Sequence, residues 1–179
     1  MEEKKMKTLE DIVLTKEEAL EWIEHLKRMS NVKTPLSLVY KLPDGDLKAV
    51  PYLDKTAKDN IVGVLLNGTV WGLTQLENVM YFDAKNVLKE HLKLPSVHEL
   101  EEVNQRLASV NETMEILREN GIVAENFLDH GSYWTNQCAV IKDETSVRIY
   151  SLGSKREYIV DPYRGKLAHA RTCYPFYKK

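Results

Sequence analysis

The chain has 179 residues, 43% hydrophobic and 29% charged, with a formal net charge of −2. That length buries one sizeable core and is short for two, which predicts one domain, residues 35–179, behind an N-terminal helical extension, residues 1–34. The slightly acidic balance excludes nucleic-acid binding through a global positive field, and no apolar run reaches the roughly 18 residues of a membrane span.

The start, MEEKKMKTLEDIVL, carries charges where a secretory signal needs an apolar run, so a cytoplasmic location is expected if this start is the native one. Thr15-Lys-Glu-Glu18 has the form of a capping box, and Ala19, Leu20, Trp22, Ile23, Leu26 and Met29 follow at helical spacing. Residues 16–29 are therefore predicted as an amphipathic helix. Glu17, Glu18, Glu21 and Glu24 would repel anionic lipid, which leaves its apolar stripe to pack on the domain, a partner or a second copy of the chain. LSLVY at 36–40, PDGD at 43–46 and LKAVPYL at 47–53 read as a β-hairpin. IVGVLLN at 61–67 has the pattern of a central strand buried on both faces, and Trp71 follows in a turn flanked by Gly68 and Gly72.

DAKNVLKEHL at 83–92 reads as a helix capped by Asp83, with Ala84, Val87, Leu88 and Leu92 on one face. A second helix start, Leu94-Pro95-Ser96-Val97-His98-Glu99, combines a capping box with a proline, and Leu100, Val103 and Leu107 continue its stripe. Ser109-Val-Asn-Glu112 repeats the cap form, so a restart is expected there, with Val110, Met114 and Leu117 inward and Gly121 as a left-handed terminator. After Gly131, YWTNQCAVI, a polar turn at 142–145 and SVRIYSL read as a hairpin with Val147 and Ile149 facing away from Arg148 and Tyr150. A short REYIV strand, a turn at 161–165 and a final LAHARTCYPF strand complete a meander. Strands, then helices, then strands define an α+β fold rather than a doubly wound one.

Several of these segments carry a resemblance. Leu94-Pro95-Ser96 with Glu99-Leu100, then Val110-Asn111-Glu112, then Tyr133-Trp134-Thr135-Asn136 and the ending Arg171-Thr172-Cys173-Tyr174-Pro175-Phe176 resemble bacterial and phage C-type-lectin-like domains of the collagen-like-adhesin C-terminal (Lcl C-terminal) type. Those domains carry an "RLPT…EL" helix start, a "YWSS" strand start and an ending close to "RPVRAF". Lys93 stands where that family prefers arginine and Leu92 where it prefers tryptophan. The resemblance spans about residues 36–176. It implies two to three helices packed on antiparallel sheets, with the N- and C-terminal strands brought together, and a binding protein rather than an enzyme.

Lectin-like domains that bind sugar through calcium use Glu-Pro-Asn or Gln-Pro-Asp with Trp-Asn-Asp. Here Trp134-Thr135-Asn136 replaces the last, and Asp129 with Asn136 falls short of the roughly six to eight oxygens calcium requires. His130, His169 and Cys173 offer no zinc site on one strand, because positions 169 and 173 would lie about 13 Å apart at roughly 3.3 Å per residue. No metal or cofactor is expected. Cys138 and Cys173 lie on strands that a lectin-like sheet could make neighbours, so a disulfide is conceivable, although two buried thiols suit a reducing compartment better. The sequence holds no GxGxxG, GxxxxGK[ST], GxSxG or HExxH, and no motif activates either cysteine, so no catalytic residue is assigned.

Residues 142–179 hold nine Lys or Arg against four Asp or Glu, a balance of +5, with Tyr150, Tyr158, Tyr163 and Tyr174 between them. Bases and aromatic rings suit anionic sugars or an acidic protein surface, although lysine and tyrosine are also ordinary residues of sheet edges. The expected ligand surface comprises the loops at 129–136 and 152–166, with His130, Tyr133, Asn136, Lys155, Arg156, Tyr163 and Arg164 as contact residues. The sequence thus points to a non-enzymatic binding module for a glycan or protein. Its alternatives are a structural or assembly subunit that associates through helix 16–29 and, lower in rank, a cysteine-dependent enzyme.

Overall fold

The computed structural model describes residues 15–86, 88, 92–141 and 144–177. The chain divides into two compact units at Asn31 and Val32. In the first, helix α1 (Lys16–Ser30) starts at the expected box: Glu18 N–H donates to Thr15 Oγ1 at 3.2 Å, and Thr15 N–H donates to Glu18 Oε2 at 2.8 Å. The two bonds satisfy donors that a helix start otherwise leaves open.

The second unit is α+β. Its strands are β1 (Asn31–Lys41), β2 (Leu47–Asp54), β3 (Ile61–Leu66), β4 (Thr69–Trp71), β5 (Leu76–Val79), β6 (Ser132–Ile141), β7 (Glu144–Ser151), β8 (Arg156–Val160), β9 (Ala168–Ala170) and β10 (Cys173–Pro175). Helices α2 (Tyr81–Asn86), α3 (Val97–Gln105) and α4 (Leu107–Glu119) lie between β5 and β6 in sequence. One sheet has the order β10-β4-β3-β1-β2, the other β5-β9-β6-β7-β8. Pairing in the second sheet is antiparallel except between β6 and β9, which run parallel at Tyr133 and His169. The β1–β2 hairpin turns at Gly45, whose φ of +90° suits glycine, and Asp44 Oδ1 accepts from Asp46 N–H at 2.9 Å. β3 is central, and a Cβ at its Gly63 would lie 2.5 Å from the Trp71 carbonyl oxygen.

The second sheet is a middle layer. Successive residues of a strand face opposite sides. Tyr133 and Tyr150 accordingly join a core with β1, β3, α3 and α4, whereas Trp134, Val147 and Ile149 join another with Tyr81, Ala84, Leu94 and Ala168. Helix α4 buries Val110, Thr113, Met114 and Leu117, the one-face spacing of a helix on a core. Thr113 Oγ1 also accepts from Leu36 N–H at 3.3 Å, which ties α4 to β1. At the start of α3, Ser96 and Glu99 form the expected capping box. Glu99 also takes Lys93 Nζ at 2.8 Å and Thr69 Oγ1 at 3.3 Å.

Five expectations are corrected. Trp71 lies on strand β4, not in a turn, because the chain reverses earlier at Asn67 and Gly68, both at positive φ. Helix α2 begins at Tyr81, so Asp83 is in its first turn rather than at its cap, and it ends at Asn86. Of the remaining stretch, Leu88 and Leu92 are not helical, and 87 and 89–91 lie outside the described residues. The break between α3 and α4 falls at Arg106, whose N–H turns back to the Val103 carbonyl, not at Ser109. Glu144 and Thr145 already belong to β7, opposite Ile141 and Val140, with 142 and 143 outside the described residues. Finally, LAHARTCYPF is two strands: β9 belongs to the second sheet and β10 to the first.

Arg171 sits at that split and is fully buried. Its Nη2 donates to the carbonyls of Glu125 at 2.6 Å and Asn126 at 3.3 Å and to Gln75 Oε1 at 3.3 Å. Its guanidinium carbon lies 4.1 Å from the centre of the Phe127 ring. Replacing Arg171 by Met should lower the unfolding free energy by about 2–4 kcal/mol in urea titrations, because three acceptors lose a charged donor inside the protein. Lysine should recover only part of the loss, since an ammonium lacks the delocalised plane that the guanidinium brings to the Phe127 ring.

Candidate functional site

Gly121, at φ +81°, ends α4, and Ile122 N–H caps the Leu117 carbonyl at 3.0 Å. The chain then runs without regular structure to Gly131, yet its backbone is held closely. Asn111 brackets Phe127, with Nδ2 donating to its carbonyl at 3.0 Å and Oδ1 accepting from its N–H at 2.8 Å. Arg118 donates to the Ala124 carbonyl and to Asn126 Oδ1 at 2.8 Å. Leu128 N–H donates to the Tyr133 hydroxyl at 2.9 Å, and Arg171 holds the carbonyls of 125 and 126 from beneath.

Above this loop opens a cleft of about 570 Å³, with Asn126, Phe127, Leu128, Asp129, His130 and His169 among its walls. Its accessible apolar wall is Leu128, 37% exposed, since Phe127 is buried, and its rim carries the exposed Asp129 and His130. His169 reaches it from β9, its ring 5.4 Å from that of Tyr133 and its Nδ1 buried without a partner among the described residues. Two glycines shape the rim. A Cβ at Gly131 would lie 3.0 Å from Leu128 Cβ and from the Tyr133 ring, and one at Gly153 would lie 2.7 Å from His130 Nδ1. The β7–β8 turn therefore seats directly against His130.

The seven residues expected at a ligand surface do not form one patch. His130 is exposed at the cleft, Lys155 is exposed on the turn that carries Gly153, and Arg156 is exposed as the first residue of β8. Tyr163 and Arg164 lie beyond the far end of β8: Tyr163 packs on Phe82 with ring centres 5.0 Å apart, and Arg164 pairs with Asp161 at 3.0 Å. Asn136 is exposed near the middle of β6, and its N–H donates to the Pro95 carbonyl at 2.9 Å. Tyr133 is a correction. It is 0% exposed, and its hydroxyl accepts from Leu128 while donating to Gln75 Oε1 at 3.0 Å, so it supports the loop from inside. The sequence reading passed over Asn126, Phe127 and Leu128, which lie between the two glycines in a stretch with neither helical nor strand periodicity.

The expectation of two buried thiols is also corrected. Both cysteines are free, Cys173 buried and Cys138 exposed, on strands of different sheets. Burial pushes the Cys173 thiol up to about 12, with Glu99 adding to the shift and Lys93 opposing it, so it stays protonated at neutral pH. His169 and Cys173 likewise stand in different sheets. Among the described residues no group of three His, Cys, Asp or Glu side chains is placed to hold a metal ion.

No protein-family model matches the chain, and no curated protein matches it.

Two outcomes follow from the thiols. Iodoacetamide should label Cys138 in the folded chain and Cys173 only after denaturation, as read by mass spectrometry of peptides. The Cys173 thiol ionises less readily folded than unfolded, so its stabilising contribution is complete below its ordinary range near 9 and fades as the pH rises towards about 12. Alkaline unfolding titrations should show a smaller stability loss over that window in Cys173→Ala than in the parent chain.

Proposed function

We propose that the chain is a non-enzymatic binding module on a C-type-lectin-like scaffold, and that the cleft beside His130 takes a glycan. The observation that carries this proposal is the cleft itself: a pinned loop with Leu128 as its accessible apolar wall, whose Asp129 and His130 side chains make no hydrogen bond or ion pair among the described residues. A carboxylate that accepts, an imidazole that can donate or accept and an apolar surface for a ring face suit a hydroxylated ligand. The volume lies within the range of small-molecule clefts.

Support for the lectin-like scaffold comes from how its motif segments meet. Lys93 and Cys173 exchange backbone bonds of 3.0 and 2.9 Å, so the segment leading into Leu94-Pro95-Ser96 pairs with the Arg171–Phe176 ending. Asn136 N–H reaches the Pro95 carbonyl at 2.9 Å, and Val97 N–H reaches Gln137 Oε1 at 2.8 Å, so the strand after Tyr133-Trp134 holds the start of α3. Three segments distant in sequence thus form one junction.

A glycan array screened with the full chain, followed by calorimetry on the best hit, tests the proposal. His130→Ala and Asp129→Asn should each weaken binding roughly tenfold, the loss of one or two polar contacts, while Tyr163→Ala beyond the far end of β8 should leave affinity unchanged. A folded chain that retains no glycan, or one whose binding ignores both cleft substitutions, would sink it.

A further inference from the structure

Four strands form the sheet edges, and three are blunted. β2 contains Pro51 and β10 ends in Pro175, each lacking a backbone donor, while β5 has a register irregularity between Leu76 and Val79 and a left-handed residue at Asn78, φ +50°. β8 has none of these devices. Its register with β7 runs unbroken through five pairs, from Val147 opposite Val160 to Ser151 opposite Arg156, and Arg156, Glu157, Tyr158 and Ile159 are all exposed. An exposed, regular edge in which Tyr158 and Ile159 follow the charged Arg156 and Glu157 leaves its backbone open to another strand, with charges that can select the partner.

We propose that β8 is a self-association edge: two copies of the chain pair antiparallel along it, about a two-fold axis at Tyr158, and join their second sheets into one. The sequence of the strand selects both occupant and register. A two-fold axis perpendicular to the sheet keeps each residue on the same face in both copies, so facing residues must be an even number of positions apart. An axis at Glu157 sets that carboxylate against its own copy. An axis at Ile159 sets Glu157 against Asp161, and one at Arg156 sets two guanidinium groups together. Like charges directly opposite destabilise a pair. An axis at Val160 runs the strand into the turn that follows Asp161.

The axis at Tyr158 avoids every like-charge pair. It places Tyr158 against Tyr158, Glu157 against Ile159 and Arg156 against Val160, and brings Lys155 and Asp161, which flank the strand at its two ends, to the same two corners of the pair by symmetry. Aromatic and opposite-charge pairs are the favourable cross-strand combinations. Glu157 remains held on its own sheet by Arg148 at 2.8 Å. Lys155 is exposed, and Asp161 is bound only by the exposed Arg164 and by Tyr163 N–H among the described residues.

Sedimentation of the full chain over a micromolar to millimolar series should show a reversible monomer–dimer equilibrium. Lys155→Asp, which opposes two carboxylates at each end of the pair, should raise the dissociation constant roughly tenfold or more. Aspartate tolerates the left-handed backbone at position 155, so circular dichroism should be unchanged. In a Cys138→Ser background, Tyr158→Cys should form a disulfide-linked dimer on mild oxidation, since facing residues at the axis have Cβ atoms about 4.5–5.5 Å apart. A chain that stays monomeric throughout overturns the proposal. So does a dimer that ignores Lys155→Asp and whose Tyr158→Cys variant stays unlinked on oxidation, because that dimer uses another surface.

Discussion

A buried guanidinium with no carboxylate in contact among the described residues governs the second unit. Taking a charge out of water is expensive, and burial lowers the Arg171 pKa to about 10, offset in part by Tyr133 and Glu125. Three oxygens gathered on Nη2 and the Phe127 ring offset part of that cost, while Nε and Nη1 are buried without a hydrogen-bond partner among the described residues. Two of those oxygens belong to the loop at 125–126, and the third belongs to Gln75, whose Oε1 also accepts from Tyr133. Since Tyr133 in turn holds Leu128, Gln75 links the two residues that fix the ends of that short segment. Arg171 also stands where the chain leaves the second sheet for the first. Strand exchange and loop order are therefore one constraint, satisfied or lost together.

The junction at the start of α3 has a comparable logic. Burial alone would raise the Glu99 pKa, but bonds from Lys93 and Ser96 more than offset it and leave the carboxylate more acidic than usual. The group therefore contributes stability above its ordinary titration range and loses it as the pH falls. Register between β6 and β7 is irregular between Trp134 and Cys138. Within that interval Thr135 Oγ1 donates to the Arg148 carbonyl at 2.7 Å, while Gln137 turns outward to receive Val97 N–H. The amides of YWTNQC thus serve helix docking, and the irregularity also turns Cys138 towards solvent where alternation from a buried Trp134 would bury it.

What was legible in the sequence was whatever depends on near neighbours. The capping boxes at Thr15 and Ser96, the Asp-Gly hairpin, the continuous apolar run of β3 and the Gly121 stop each act over a few residues. Trp71 was misplaced because two glycines flank it, although Asn67-Gly68 is the sharper turn signal: both residues occupy the positive-φ conformation that a tight hairpin needs. LAHARTCYPF keeps strand-like alternation throughout, and nothing local marks its break. The break is made by partners of Arg171 about 45 and 96 positions away. At the cleft, exposure of His130 followed from its place in a glycine-bounded loop. Tyr133 could not be assigned the same way, because a tyrosine hydroxyl is satisfied equally by water or by a backbone amide.

Cleft and edge share a structural element, and this relates the two surfaces physically. The β7–β8 turn carries Gly153 against His130, and β8 begins three residues later. A loop on a rigid support binds with less ordering cost than a mobile one, so anything that stiffens that turn preorganises the cleft rim. Pairing along β8 would fix the strand leading out of the turn. Both ends of the rim would then be restrained, one by a buried cation within the chain and the other by backbone bonds to a second copy. The coupling needs no change of shape, only a reduction in the motion of the turn, and it must act in both directions.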